Sequence, residues 1–176
     1  MNLVTTMWVV VLCVAVVSPS LHAQELASGD SDRPWIKLGI YSLGLRGGYD
    51  LEGDGQALVG GSADLGYLFS ERLRFRTIGE LGFTPGPNSY VGSIELIYRF
   101  TPDSSVAIPY IGTGLGLAGN EMCGSVQGCP AVWWQFVLAF ELRLNDRVNW
   151  LIEYHPQNAL RRHRILVGIV MRGGGS

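Results

Sequence analysis

The sequence is nearly without lysine. Lys37 is the only one, and the rest of the 13 Lys and Arg residues are Arg. There is no extended Lys/Arg block and the formal net charge is −2, so a nucleic-acid partner has no electrostatic footprint here. Long apolar runs are also scarce. Only Met7 to Val17 is uninterrupted, and it falls short of the roughly 20 residues that a spanning helix needs. Beyond Trp35 the helical period is missing. No P-loop, zinc signature or dinucleotide fingerprint occurs, so no cofactor or metal is expected. Glycine is plentiful, 24 residues, but follows no G-X-Y period, which excludes collagen.

What remains is apolar for a chain of 176 residues: 47% hydrophobic against 16% charged. That length suits one domain. The excess apolar surface must therefore face something besides one small core. Residues 1–23 read as a signal peptide, with Ser18-Pro19-Ser20 breaking the apolar run and Leu21-His22-Ala23 offering the cleavage site. Residues 24–34 are a polar, flexible lead, 35–172 the folded domain, and 173–176 a Gly-rich tail.

From Trp35 onward the pattern alternates with a period of two, as strands do. Residues 72–83 set Leu73, Phe75, Leu81 and Phe83 against Arg72, Arg74, Arg76 and Glu80. Residues 57–69, 89–100, 132–144, 148–154 and the last segment up to Arg172 behave alike. Two Gly-rich segments, 36–48 and 106–118, are less regular but strand-like. Eight strands result. Their connections should alternate between short turns (70–72, 101–105, 145–147) and longer loops (50–55, 84–88, 119–130, 155–159). A three-residue turn at 145–147 pairs Leu144 with Val148, Leu142 with Trp150 and Phe140 with Ile152. The same reasoning at 70–72 pairs Phe69 with Leu73 and Tyr67 with Phe75. The expected fold is all-β: an eight-stranded antiparallel up-and-down barrel of the transmembrane kind.

Two solvents suit such a barrel. A lipocalin-like soluble barrel would turn the apolar face inward around a ligand; a membrane barrel would turn it out to lipid. The polar parity carries Asp64, Arg74, Arg76, Glu80, Glu95, Arg99, Glu141, Arg143, Glu153 and Arg164. Opposite charges on adjacent strands, Arg in place of Lys, suit an enclosed network of Arg–carboxylate pairs. Glu141 and Glu153 have Arg143 and Arg164 available to neutralise them. Aromatic residues form two levels: Phe69, Tyr98 and Phe100 by the short turns, Phe83, Tyr90, Trp134 and Tyr154 by the loops. Both features favour the membrane barrel. A barrel of eight strands is filled by its own side chains, which argues against a wide pore.

The layout over 35–172, with Pro109-Tyr110-Ile111-Gly112-Thr113-Gly114-Leu115-Gly116, resembles the OmpA/OmpX-type group of small outer-membrane barrels. That resemblance implies the outer membrane of a Gram-negative cell. A second, incomplete resemblance is to the lipid A 3-O-deacylases, barrels carrying His-x-Ser-Asn-Ala. Here the place reads His155-Pro156-Gln157-Asn158-Ala159, so Gln157 replaces the nucleophile. It is either a barrel of that lineage without the chemistry or a chance match. No catalytic residue is therefore assigned. Cys123 and Cys129 are read as a disulfide rather than half a metal site. Arg161, Arg162 and His163 stand where they could contact lipopolysaccharide, solvation being the simpler reading. The expected function is a structural or surface-interaction role. Lipid, lipopolysaccharide or an extracellular protein would be its partners, and a monomer its state. The alternatives are an outer-leaflet lipid-modifying enzyme and a soluble binding barrel.

Overall fold

The computed structural model describes residues 35–51, 55–84, 86–120, 122–123, 129–157, 160 and 162–173. The expected signal peptide and lead fall outside them, as does the tail beyond Gly173. Eight strands run in order: β1 (Ile36–Asp50), β2 (Gln56–Leu68), β3 (Ser70–Phe83), β4 (Ser89–Arg99), β5 (Ala107–Asn120), β6 (Ala131–Arg143), β7 (Val148–Gln157) and β8 (Arg162–Arg172). Each pairs antiparallel with its sequence neighbour, and β1 also pairs with β8, closing the barrel. Closure leaves no edge strand with unpaired backbone groups.

The period-two pattern sorts side chains by chemistry, with the apolar parity outward. Leu115 is 62% exposed and Trp134 56%, whereas Glu141 and Arg164 are 1% exposed. This is inside out relative to a soluble barrel, and it overturns the lipocalin-like alternative. Water would meet a continuous belt of Leu, Ile, Val and Phe, far beyond the patch a soluble monomer tolerates. Phe69, Tyr98 and Phe100 are exposed at the end holding the short turns, and Phe83, Tyr90 and Trp134 at the other.

The register at the β6–β7 turn is the expected one: Leu142 faces Trp150 and Phe140 faces Ile152. The β2–β3 register is not. Tyr67 pairs with Arg74 and Leu68 with Ser70, leaving Phe69 alone at the tip. The ladder shifts twice on the way to that tip, between Asp64 and Gly66 and between Tyr67 and Leu68; Gly66 takes φ +125° and Phe69 φ +59°. The alternation of connection lengths is also weaker than expected. The turn at 100–106 outruns the loop at 158–161, because β7 continues through Gln157 and the 100–106 turn has a job inside the barrel.

Candidate functional site

Among the described residues, the strands bring charged groups together in the lumen. An apolar belt of Ile97, Tyr110, Val137, Leu151 and Val170 crosses it. Charge lies on both sides of that belt.

The central cluster is organised by Glu153. Its Oε1 accepts from Arg76 Nη1 at 2.6 Å and from the Tyr110 hydroxyl at 2.5 Å. Its Oε2 accepts from Arg46 and lies 3.2 Å from His155 Nε2. Arg76 also donates through Nε to Glu95 at 2.9 Å. The other oxygen of Glu95 accepts from Gln135 at 2.6 Å, and Gln157 donates to Gln135 at 2.7 Å. Low dielectric strengthens such a chain and makes each member costly to remove.

Toward the loop end, Arg164 bridges Asp50 at 3.0 Å and Glu80 at 2.8 Å. Arg162 also donates to Asp50, at 2.6 Å. The two guanidiniums lie 5.0 and 5.4 Å from the Trp133 ring. Toward the turn end, Arg74, Arg99, Arg143 and Arg172 meet Asp64, Asp103 and Glu141. Asp103, from the 100–106 turn, reaches into the mouth. Its carboxylate accepts from Arg74 at 2.7 Å and Arg99 at 2.6 Å, and its carbonyl accepts from Arg143 and Arg172. Burial pushes the Asp103 carboxyl up, but Arg99 and Arg74 outweigh it and hold the group below its ordinary value of 3.8.

Every residue of the expected interior network faces the lumen, Arg143 at its rim. The pairing differs from expectation. Glu153 is held by Arg46 and Arg76, Glu141 by Arg99 and Asn149, while Arg164 goes to Asp50 and Glu80. Arg46, Asp50, Asp103, Tyr110 and Gln135 were not read as members. Arg46 and Asp50 share a parity with Ser42 and Gly44, a signal that the glycines of β1 obscure. Asp103 sits in a turn, where no period exists.

Within the deacylase-like segment, His155, Pro156 and Gln157 lie in β7 rather than in a loop. His155 and Gln157 point into the barrel, each 1% exposed. A group acting on a membrane lipid would have to point out. Asn158, Ala159 and Arg161 lie outside the described residues. Arg162 turns inward, against the expectation of a lipopolysaccharide contact, because Asp50 takes it. His163 does face outward, its Nδ1 2.6 Å from the Tyr154 hydroxyl with the two rings stacked. Cys123 and Cys129 are at disulfide distance, their Cα atoms 4.9 Å apart.

No family model matches the sequence, and no curated protein is a significant match. Solved structures do match in fold. The chain is similar to the N-terminal β-barrel domain of Pseudomonas aeruginosa OprF, with TM-score 0.59 and 14% identity over 77% of this chain and 99% of that one. It is similar to Neisserial surface protein A, with TM-score 0.57 and 14% identity over 78% and 99%. A de novo designed transmembrane β-barrel matches at TM-score 0.52 and 15% identity, over 78% and 98%.

Proposed function

We propose that the chain is a non-enzymatic barrel of the bacterial outer membrane, with a structural or surface-interaction role. One observation carries this: the apolar face is outside and the lumen is shut. Paired charges fill it, a belt of buried apolar side chains crosses it, and Asp103 stops the turn end. Such a barrel offers no wide passage. Its exposed faces are the lipid wall and the outer loops. In this orientation the turns face the periplasm and the loops the outside. The loop between β5 and β6, closed by Cys123 and Cys129, is then the best contact surface for an extracellular protein or for lipopolysaccharide sugars.

The in-strand serines support the non-enzymatic reading. Ser42, Ser62, Ser89 and Ser93 have the parity of the lumen, Ser89 bonded to Gln56 and Ser93 to Gln135. One observation favours the alternative of a lipid-modifying enzyme. The outward Tyr154–His163 pair places a hydroxyl beside a base at the lipid surface.

The test is the lipid A mass spectrum of a Gram-negative host making this protein, with heat-modifiable gel migration to show the folded barrel in the outer membrane. An unchanged spectrum is expected. Loss of an acyl chain that disappears in Tyr154→Phe would overturn the non-enzymatic reading.

A further inference from the structure

The wall between β6 and β7 has a gap in its hydrogen bonding. Partners across this seam sum to 292, as in Leu142 with Trp150 and Leu138 with Tyr154. The amide of Leu144 donates to the carbonyl of Val148, so that pair is of the hydrogen-bonded type. Hydrogen-bonded pairs recur at every second residue. The series is therefore 144/148, 142/150, 140/152, 138/154 and 136/156. The last places Pro156 where its N–H should donate to the carbonyl of Phe136. Proline has no N–H. The ladder accordingly runs from Leu138–Tyr154 straight to Gln135–Gln157, skipping two pairs. The other edge of β7 is unharmed. There the amide of Arg172 donates to Arg147, so the hydrogen-bonded positions on that side are odd-numbered and Pro156 is not one of them.

An apolar groove of about 520 Å³ lies on the outer wall over this gap. Leu96, Thr113, Phe136 and Leu138 form its floor and sides, and Pro156 and Leu160 its loop-end wall. The floor is low because Thr113 is short and its hydroxyl is engaged, receiving the Trp134 indole N–H and donating to the carbonyl of Gln135. That size is within the usual range of ligand pockets. In a membrane no water is present to satisfy the Phe136 carbonyl, and an unpaired backbone group there is costly.

We propose that the groove is a binding site for one acyl chain of an outer-leaflet lipid that carries a hydrogen-bond donor, an amide N–H or a hydroxyl, near its headgroup. The donor replaces the missing N–H of Pro156 at the carbonyl of Phe136, and the chain lies over Thr113. The depth is appropriate: Phe136 is close to the loop end of β7, where headgroups give way to chains. A lipid with only ester carbonyls near its headgroup has acceptors but no donor, and cannot satisfy this carbonyl. The proposal rests on the membrane reading above.

The experiment uses the full protein in phosphatidylcholine nanodiscs, doped either with an N-(3-hydroxyacyl) glucosamine phosphate or with phosphatidylmethanol of equal chain length, an anionic lipid whose headgroup has no donor. Phe-Val occurs once, at Phe136-Val137. Carbonyl-13C phenylalanine with 15N valine therefore gives a single cross-peak that reports the carbonyl. The amide lipid should move it in the direction of hydrogen bonding, and native mass spectrometry should show that lipid retained about fivefold over phosphatidylmethanol, the worth of one net hydrogen bond. Pro156→Ala supplies the N–H from the protein, so its peak should start shifted and its lipid preference vanish. Thr113→Leu should abolish retention by filling the groove. A wild-type peak that the amide lipid leaves unmoved, or equal retention of both lipids, overturns the proposal. Failure of the membrane reading looks different: the folded protein would stay in water and not enter the nanodiscs.

Discussion

At the scale of single residues, Glu153 is the member whose loss the lumen tolerates least. It answers two guanidiniums, Arg46 and Arg76, and accepts the Tyr110 hydroxyl. Removing one partner of a buried pair leaves an uncompensated charge, at about 3–5 kcal/mol. Glu153→Gln is expected to lower unfolding stability by that order, read from urea titration of the refolded protein in lipid vesicles. Tyr110→Phe removes one hydrogen bond and keeps the ring in the belt, so about 1 kcal/mol is expected. Equal losses in the two variants would show that Glu153 is not the organising charge. Asp103 makes a different prediction because it lies in a turn. Its folded carboxyl titrates below the ordinary value of 3.8. The latch thus contributes fully above that value and is lost as pH falls through the lower folded one. Wild-type stability should drop below about pH 4. Asp103→Asn should lack that component while keeping the carbonyl bonds to Arg143 and Arg172. Parallel pH profiles for the two proteins would sink the latch.

At the scale of elements, Gly66 decides how β2 meets β3. Its φ of +125° is closed to ordinary side chains, and an added Cβ would press on the carbonyl of Lys37 in the neighbouring strand. Gly66→Ala should cost about 1–3 kcal/mol, measured as a lower urea midpoint with unchanged strand content. An unchanged midpoint would mean that the bulge can move. This glycine also shows where legibility ended. The alternation in β3, β4, β6 and β7 could be read because each face has one solvent, and lipid and lumen select opposite residue types. The β6–β7 register followed from it, since a slip of one residue would have turned Trp150 and Ile152 into the lumen. The β2–β3 register did not follow. A bulge changes the pairing without changing composition, and Gly66 looked like any small inward residue. Likewise, the members of the network could be listed from parity, but their partners could not. Glu153 finds Arg76 across the lumen, from a strand far from its own. Barrel closure, not sequence spacing, sets that distance.

At the scale of the whole molecule, the question is whether the closed lumen can conduct. The turn-end cluster holds four arginines, Arg74, Arg99, Arg143 and Arg172, against three carboxylates, Asp64, Asp103 and Glu141. It is an anion-favouring vestibule with no way through, because Ile97, Tyr110, Val137, Leu151 and Val170 separate it from the central cluster. Side chains that are 0% exposed, such as Val137 and Leu151, leave no room for a hydrated ion. Wild-type protein in planar bilayers is therefore expected to show no resolved conductance steps. Joining the clusters should need both barriers removed. Leu151→Gly with Asp103→Ala takes a side chain from the belt and the latch from the mouth. That double variant should show brief openings that favour chloride over potassium, since removing Asp103 adds to the positive excess. Each single variant should stay closed, with one barrier intact. Steps of similar size in the wild type would show that the belt does not seal. Openings in Asp103→Ala alone would move the barrier from the belt to the turn, and would make the 100–106 segment the gate of the barrel.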